Sequence, residues 1–195
     1  MASGLSYDAL MKPLGWLGLD RARRRLVAGL DGRVLELGAG TGLLFEHYGS
    51  AAQLVGVDVD LEGLRRARGR SRACPLVCAD AQALPFRDGT FDAVVESLVL
   101  CSVPDIRRTL AEARRVLRTG AELRLLDHVR PPGSVLGRLA DVLTPLWAKL
   151  SGGCHLNRNP ALELAAAGFE VSWRRRSLRG LGDELRARRQ DARAR

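Results

Sequence analysis

Three glycines at alternate positions follow a short apolar segment near the start of the chain. They are Gly38, Gly40 and Gly42, in the segment VLELGAGTG at residues 34–42. Glycine has no Cβ atom, so the backbone can turn sharply there and a ligand can lie directly against it. The spacing G-x-G-x-G differs from the G-x-G-x-x-G pattern that brings a pyrophosphate onto a helix N-terminus. The segment therefore predicts a ligand-binding turn.

Three acidic residues are expected to surround this turn. Asp58 ends the second predicted strand, where a carboxylate can accept hydrogen bonds from a ribose diol. Glu36 precedes the turn, and Asp80 ends the third predicted strand. Three carboxylates would repel a diphosphate but would suit a nucleoside that carries positive charge. They favour S-adenosylmethionine, whose sulfonium and ammonium groups are cationic, over a nicotinamide dinucleotide.

Apolar segments alternate with helical ones along most of the chain, and this alternation predicts the elements that position the turn. We predict strands at 33–37, 53–57, 75–79, 91–95, 122–127 and 169–173, and helices within 5–30, from about Thr41, and at 61–70, 105–117, 135–150 and 160–167. Such an order indicates βαβ units, and so an α/β fold with a mostly parallel sheet and helices on both faces. The glycine turn then lies at the carboxyl edge of the sheet, where ligands of these folds bind.

The motifs together resemble the class I S-adenosylmethionine-dependent methyltransferases of the methyltransferase-11 type, which include the ubiquinone and menaquinone methyltransferases. The resemblance rests on VLELGAGTG (34–42), VGVDVD (55–60), ADAQALPFRDGTFDAVV (79–95) and LAEARRVLRTGAEL (110–123), in the family order. These motifs span about half of the chain. They imply a Rossmann-like three-layer sandwich that transfers a methyl group from S-adenosylmethionine.

The resemblance also implies a role for each matching residue. Glu36 and the glycines would hold the methionine portion of the cofactor, and Asp58 would bind its ribose hydroxyls. Asp80 and Ala81 would contact the adenine. The full set of expected cofactor-binding residues is Glu36, Gly38, Gly40, Gly42, Asp58, Val59, Asp80, Ala81, Glu96, Ser97 and Leu98, with the last three near the sulfonium.

The candidates for acceptor chemistry lie in the second half of the chain. Asp127 and His128 end the fifth predicted strand, and a histidine there can accept a proton near neutral pH. His155 follows a Gly-Gly-Cys segment, from which it can line the acceptor entrance. We take Asp127, His128 and His155 as the catalytic candidates, with a purely structural role as the alternative for both histidines.

A second, narrower resemblance bears on the acceptor. The segments LVLCSVPD (98–105), LLDHVRPPG (125–133) and WAKLSGGCHLNR (147–158) resemble the methyltransferase-like alkyl thiol methyltransferases. The animal members also carry an N-terminal membrane anchor, which is not expected here. Side chains that can cover an apolar acceptor are Tyr7, Trp16, Leu17, Leu143, Leu146 and Trp147. We therefore expect a small, hydrophobic acceptor, with a thiol ahead of a quinol, phenol or amine.

Composition is typical of a globular domain with a basic surface. The 195 residues are 46% apolar and 27% charged, with a net charge of +9. No apolar run approaches the roughly 18 residues of a membrane-spanning helix, and no signal peptide is evident, so we expect a cytoplasmic protein. Most of the net positive charge lies between Arg174 and Arg195 and predicts a solvated arginine-rich tail rather than a specific nucleic-acid surface. Peripheral membrane contact is compatible with this charge, and the oligomeric state is not indicated.

The cysteines and the C-terminal segment predict no further site. Cys74, Cys78, Cys101 and Cys154 are too few and too scattered for a disulfide framework, and their spacing predicts no metal site. We divide the chain into an N-terminal helical cap (1–30), a methyltransferase domain (31–175) and an arginine-rich tail (176–195). The tail contains no convincing apolar strand, so strand seven is predicted to be missing or atypical. About the last ten residues are expected to have low order.

Two other functions remain compatible with the motifs. One is an RNA or protein methyltransferase, although only 5% of residues are aromatic and no basic patch interleaved with aromatics is present. The other is a non-catalytic S-adenosylmethionine-binding module, which the cofactor motifs alone do not distinguish from an enzyme.

Overall fold

The computed structural model describes residues 18–70, 74–131, 133–151, 153–177 and 180–190. Its helices are α1 (Leu19–Val27), α2 (Leu61–Arg70), α3 (Ile106–Val116), α4 (Ser134–Ser151) and α5 (Pro160–Ala166), and its strands are β1 (Gly32–Leu37), β2 (Ala52–Asp58), β3 (Leu76–Cys78), β4 (Phe91–Ser97), β5 (Leu117–His128), β6 (Phe169–Ser177) and β7 (Gly182–Arg189). The elements follow the predicted order with two exceptions, one after β1 and one after β6.

The strands form one sheet in the order β3-β2-β1-β4-β5-β7-β6. Strands β1 to β5 are parallel to their neighbours, whereas β7 is antiparallel to both β5 and β6. The chain continues from β1 to β2, which lies on one side of β1, whereas β4 lies on the other side of β1. The connections after β1 and β4 therefore diverge and leave a crevice at the carboxyl edge of the sheet.

Alternate residues of the central strands supply the cores on the two faces of the sheet. Leu35 and Val94 pack with α3 and α5 on one face, whereas Val34 and Val95 pack with α1 on the other. Because neighbouring residues of a strand point to opposite faces, these strands are apolar at almost every position. The predicted α/β three-layer sandwich of Rossmann-like type is confirmed.

The prediction that strand seven is missing or atypical is only partly right, because a seventh strand, β7, is present and is antiparallel to its neighbours. It lies between β5 and β6 and pairs with both. The strand is not recognisable from an apolar pattern in the sequence, because two of its buried residues, Asp183 and Glu184, are charged. Arg174 and Arg176 form ion pairs with Asp183, and Arg25 forms one with Glu184. These pairs neutralise the buried carboxylates, so a strand of sequence GDELRARR can enter the sheet.

The predicted domain division stays a prediction, although its last boundary does not coincide with the end of an element. A boundary at residue 175 falls inside β6 and would separate β7 from the sheet. Of the last ten residues, for which low order is expected, 186–189 belong to β7 and 191–195 lie outside the described residues. Of the predicted helical cap, the structure describes residues 18–30, which contain α1.

The helix predicted from about Thr41 is reduced to a single 3-10 turn at Phe45–His47. The Phe45 ring folds back over Gly42, where an added Cβ atom would lie 2.8 Å from it. Phe45 also packs with Leu64 and Ala67 of α2. Packing of this ring, rather than a regular helix, holds the glycine turn in place.

Candidate functional site

A cavity of about 510 Å³ opens at the carboxyl ends of β1, β2 and β4. Nine of the predicted cofactor-binding residues line it: Glu36, Gly38, Gly40, Asp58, Val59, Asp80, Ala81, Ser97 and Leu98. Gly42 and Glu96 do not. The fold therefore brings segments from four separate parts of the chain to one crevice, at the position where parallel sheets bind ligands.

The three glycines of the turn have different surroundings. All have positive φ, with values of 65° at Gly38, 50° at Gly40 and 78° at Gly42. A Cβ atom on Gly38 would clash with the Val99 side chain, and one on Gly42 with the Phe45 ring. Among the atoms of the described residues, a Cβ atom on Gly40 would meet none nearer than 3.9 Å. Gly42 thus serves packing, whereas Gly40 is where a ligand can approach the backbone most closely.

Asp58 fixes the turn from the end of β2. Its Oδ2 accepts a hydrogen bond from Gly40 N at 2.8 Å, and its Oδ1 accepts one from Asp60 N at 2.8 Å. Burial raises the pKa of the carboxyl above its ordinary value, and these backbone donors oppose the rise. A carboxylate oxygen can accept more than one hydrogen bond, so Asp58 can still bind a ribose diol.

Glu36 is the most buried acid of the cavity. It is 3% exposed, and its Oε2 has no hydrogen-bond partner among the described residues. Burial raises the pKa of its carboxyl to about 8, while the nearby Tyr48 hydroxyl and Arg23 guanidinium oppose the rise. A buried carboxyl with an unused oxygen is suited to a ligand that brings a donor, and a cationic donor would favour its ionised form.

Asp80 lies at the exposed end of the cavity. Its Oδ1 accepts a hydrogen bond from Gln82 N at 2.8 Å, and both of its oxygens lie 3.0 Å from Gln82 Nε2. These donors hold the pKa of Asp80 below its ordinary value. Gln82 Oε1 in turn accepts a hydrogen bond from Asp105 N at 3.1 Å. The Asp80 carboxylate is therefore ionised and held in a fixed orientation at this end of the cavity.

The chain bends sharply after β4. Leu98 has a φ of 64°, an uncommon conformation for a leucine. The buried Glu96 stabilises the bend, because its Oε2 accepts hydrogen bonds from Val99 N at 2.9 Å and Leu100 N at 3.4 Å. Glu96 thus positions the loop and does not line the cavity, contrary to its expected cofactor contact. Ser97 does line it, and its buried Oγ has no partner among the described residues.

Asp127 joins the loop after β4 to the end of β5. It is fully buried, and its Oδ2 accepts a hydrogen bond from Cys101 N at 2.8 Å while its Oδ1 accepts one from His128 N at 2.8 Å. Burial raises the pKa of Asp127 to about 6. Both oxygens are used by the backbone and the side chain does not line the cavity, so the geometry favours a positioning role over the catalytic role expected from sequence.

His128 lies in a cluster with two buried cysteines. Its Nδ1 is 3.3 Å from Cys154 Sγ. A ring nitrogen of His128 and the Sγ atoms of Cys101 and Cys154 all lie within 4.8 Å of one another. Hydrogen bonding with Cys101, and then with His128, lowers the pKa of the Cys154 thiol. Sequence analysis missed the cluster because His128 and Cys154 are 26 residues apart and no motif spacing connects them. Only the fold brings these side chains together.

His155 connects the segment after α4 to the same loop. Its backbone N donates a hydrogen bond to Cys101 O at 2.7 Å, and its Nδ1 lies 3.2 Å from that oxygen. Arg158 supports the connection by donating to Leu100 O. These contacts favour the structural alternative for His155.

The part of the predicted apolar acceptor cover that the structure describes does not line the cavity. Leu143, Leu146 and Trp147 lie on α4 and are 43%, 60% and 37% exposed. None of them lines the cavity. Tyr7, Trp16 and Leu17 lie outside the described residues.

Comparison with known proteins identifies the family. A family model described as a methyltransferase domain matches residues 35–125. A demethylmenaquinone methyltransferase from Thermus thermophilus is 34% identical over 196 residues, which cover 86% of this chain and 89% of the relative. The thiol S-methyltransferase TMT1B of Mus musculus is 33% identical over 186 residues, which cover 86% and 76%.

Other relatives are longer than the matched region. A phosphatidylethanolamine N-methyltransferase from Cereibacter sphaeroides is 38% identical over 118 residues, which cover 56% of this chain and 58% of the relative. The chain spans only 58–63% of the length of this and the other first relatives that it matches.

A solved structure supports the same assignment of fold. An S-adenosylmethionine-dependent methyltransferase from Thermotoga maritima superposes with a TM-score of 0.73 at 20% identity, covering 95% of this chain and 96% of that one. Among the residues that the structure describes, no helix is both long and apolar enough to span a membrane.

The sheet order, the motifs in family order and the two relatives that align over most of both chains lead to one conclusion: the chain belongs to the class I S-adenosylmethionine-dependent methyltransferases.

Proposed function

We propose that this protein binds S-adenosylmethionine in the cavity and transfers its methyl group to a small molecule. The observation that carries the proposal is the acidic lining, above all the buried Glu36 with its unpaired oxygen. Among the residues that the structure describes, four acidic ones line the cavity, namely Glu36, Asp58, Asp60 and Asp80, against one basic residue, Arg23. This charge favours a cationic nucleoside over a phosphate-bearing one.

The proposal assigns a lining residue to each part of the cofactor. The Asp58 carboxylate accepts hydrogen bonds from the ribose hydroxyls, and Asp80 with Ala81 faces the adenine. Glu36 and the backbone at Gly40 hold the methionine portion, and Ser97 offers an unpaired hydroxyl near the sulfonium. When bound, S-adenosylmethionine supplies an activated methyl group together with its own leaving group. The protein is left to align the acceptor and to exclude water.

The acceptor is inferred to be small and hydrophobic, with a thiol ahead of a quinol, phenol or amine. Support comes from relatives named for thiol, demethylmenaquinone and phosphatidylethanolamine methylation. The thiol is placed first because the segments at 98–105, 125–133 and 147–158 resemble the alkyl thiol enzymes. In the structure these segments meet beside the cavity, through Asp127 and His155.

Cofactor binding is tested by calorimetry with S-adenosylmethionine and, as the comparison ligand, NAD. The wild-type protein should bind only the first. Asp58→Ala should weaken binding by about 1–3 kcal/mol, the cost of losing a charged hydrogen-bond partner. Asp88→Ala, which removes an exposed acid outside the cavity, serves as the control and should bind normally. Failure of the wild type to bind S-adenosylmethionine would overturn the proposal.

Catalysis is tested by a methyl-transfer screen across alkyl thiols, quinols, phenols and amines, read by mass. We expect the largest product yield from a thiol. Cofactor binding without methylation of any acceptor would instead support a non-catalytic binding module.

A further inference from the structure

Three metal-ligating side chains converge from separate parts of the chain beside the cavity. Cys101 follows β4, His128 ends β5 and Cys154 follows α4. Their ligand atoms lie within 4.8 Å of one another, and the His128 Nδ1 to Cys154 Sγ distance is 3.3 Å. In a tetrahedral zinc site, bonds of roughly 2.3 Å to sulfur and 2.1 Å to nitrogen place neighbouring ligand atoms about 3.6–3.8 Å apart. The observed arrangement thus needs movements of about 1 Å or less to accept such an ion.

Hydrogen bonds to the backbone fix the segments that carry these ligands. The Asp127 carboxylate accepts one hydrogen bond from Cys101 N and another from His128 N, each at 2.8 Å. His155 N, next to Cys154, donates to Cys101 O at 2.7 Å. The Cys101 segment is therefore connected to His128 through Asp127 and to Cys154 through His155. Such support around the ligands is typical of metal sites.

The two cysteines of the cluster differ from the other buried cysteine. Cys74 belongs to an apolar cluster around Phe45, where a free thiol behaves as a small apolar side chain. Cys101 and Cys154 are 2% and 7% exposed, yet they face each other and an imidazole. Apolar packing alone does not account for two thiols and a histidine in mutual contact.

We propose that Cys101, His128 and Cys154 bind a zinc ion whose fourth coordination position receives the thiol of the methyl acceptor. Three protein ligands with one open position are the arrangement of catalytic zinc sites, and two sulfur ligands with one nitrogen suit zinc. Val99 and Ser102, on either side of Cys101 in the loop, line the methyl-donor cavity. The acceptor part of the inference rests on the proposed function, whereas metal binding does not.

The chemistry balances without an oxidant or reductant. The acceptor thiol displaces a water molecule from zinc and loses its proton to solvent, because zinc stabilises a thiolate. The thiolate sulfur forms a bond to the methyl carbon as the bond between that carbon and the cofactor sulfur breaks. The electron pair stays on the departing sulfur. The products are a methyl thioether, S-adenosylhomocysteine and one proton.

Cobalt(II) substitution tests the site without relying on activity. Reduced, anaerobic full-length protein titrated with Co²⁺ should gain sulfur-to-cobalt charge-transfer absorption and the intense visible bands of tetrahedral cobalt, at one metal per chain. Zn²⁺ should remove these bands by displacement. Cys154→Ser and His128→Asn should each lose the spectrum, whereas Cys78→Ser, at an exposed thiol outside the cluster, should keep it. Calorimetry with S-adenosylmethionine on every variant checks that the fold and the cofactor site persist.

An alkyl thiol added to the cobalt protein should increase the charge-transfer absorption, whereas a phenol of similar size should not. Absence of the cobalt spectrum in the reduced wild type, or its persistence in Cys154→Ser and His128→Asn, would overturn the metal site. A cobalt spectrum unaffected by the thiol would overturn the acceptor role. Failure of the wild type to bind S-adenosylmethionine, with its cobalt spectrum intact, would instead refute the proposed function.

Discussion

Glu36 carries the charge on which recognition of a cationic ligand most depends. Burial raises its pKa to about 8, and the nearby Asp58 carboxylate adds to the rise. The Tyr48 hydroxyl and the Arg23 guanidinium oppose it. A bound cation would lower that pKa, so binding below pH 8 must release a proton. The affinity for S-adenosylmethionine should therefore increase as the pH rises from about 6 to 8. Calorimetry in buffers of different ionisation enthalpy measures both the affinity and the proton release.

Glu36→Gln is the matched variant for this measurement. It should bind more weakly at pH 8 and with a flatter pH dependence, because no carboxyl remains to ionise. A pH dependence as steep as that of the wild type would show that another group is responsible.

Two glycines of the same turn should respond differently to one added methyl group. Gly40→Ala and Gly42→Ala both place alanine at positive φ, at a cost of about 1–2 kcal/mol. At Gly42 the Cβ atom also meets the Phe45 ring, so the total loss of stability should reach about 2–4 kcal/mol. At Gly40 it enters the cavity, so the affinity for S-adenosylmethionine should fall by about 1.4 kcal/mol or more, a tenfold change. Thermal unfolding and calorimetry separate the two effects, and equal losses of affinity at both positions would contradict the assignment.

At the scale of elements, β7 is the strand whose stability contribution is most open to test. Leu185 is 1% exposed within it, whereas Leu181, just before it, is 49% exposed. Leu185→Ala should reduce the free energy of unfolding by about 2–5 kcal/mol, as for other buried leucines. Leu181→Ala should change it by less than about 0.5 kcal/mol. Denaturant unfolding measures both. A silent Leu185→Ala would mean that this strand is not part of the stable sheet.

The same strand shows which elements sequence reasoning can find. Strands β1, β4 and β5 were predictable because most of their buried residues are apolar. Strand β7 was not, because Asp183 and Glu184 are buried through ion pairs with arginines that are distant in sequence or lie on another strand. The residues of the candidate site also differ in whether they could be predicted from the sequence. The glycine turn and Asp58 follow from a local motif, whereas the meeting of Cys101, His128 and Cys154 depends on tertiary contacts that no spacing encodes.

The molecule as a whole is basic, with a net charge of +9, whereas its cavity is acidic. Many surface arginines are already paired with carboxylates, as Arg115 is with Glu112 and Asp88. We therefore expect RNA to bind weakly, to be released as salt rises from about 50 to 200 mM, and not to compete with S-adenosylmethionine. Fluorescence anisotropy with a short labelled RNA measures this. Salt-resistant binding, or competition for the cavity, would support an RNA acceptor instead.

The position of β7 also has a consequence for synthesis of the protein. This strand is made after β6, yet it lies between β6 and β5, so β6 has no partner in the sheet until β7 has left the ribosome. Until then β5 presents an unpaired edge, a surface that invites association with other chains. Nascent chains halted before Gly182 should therefore recruit chaperones, and release of the last strand should end that dependence.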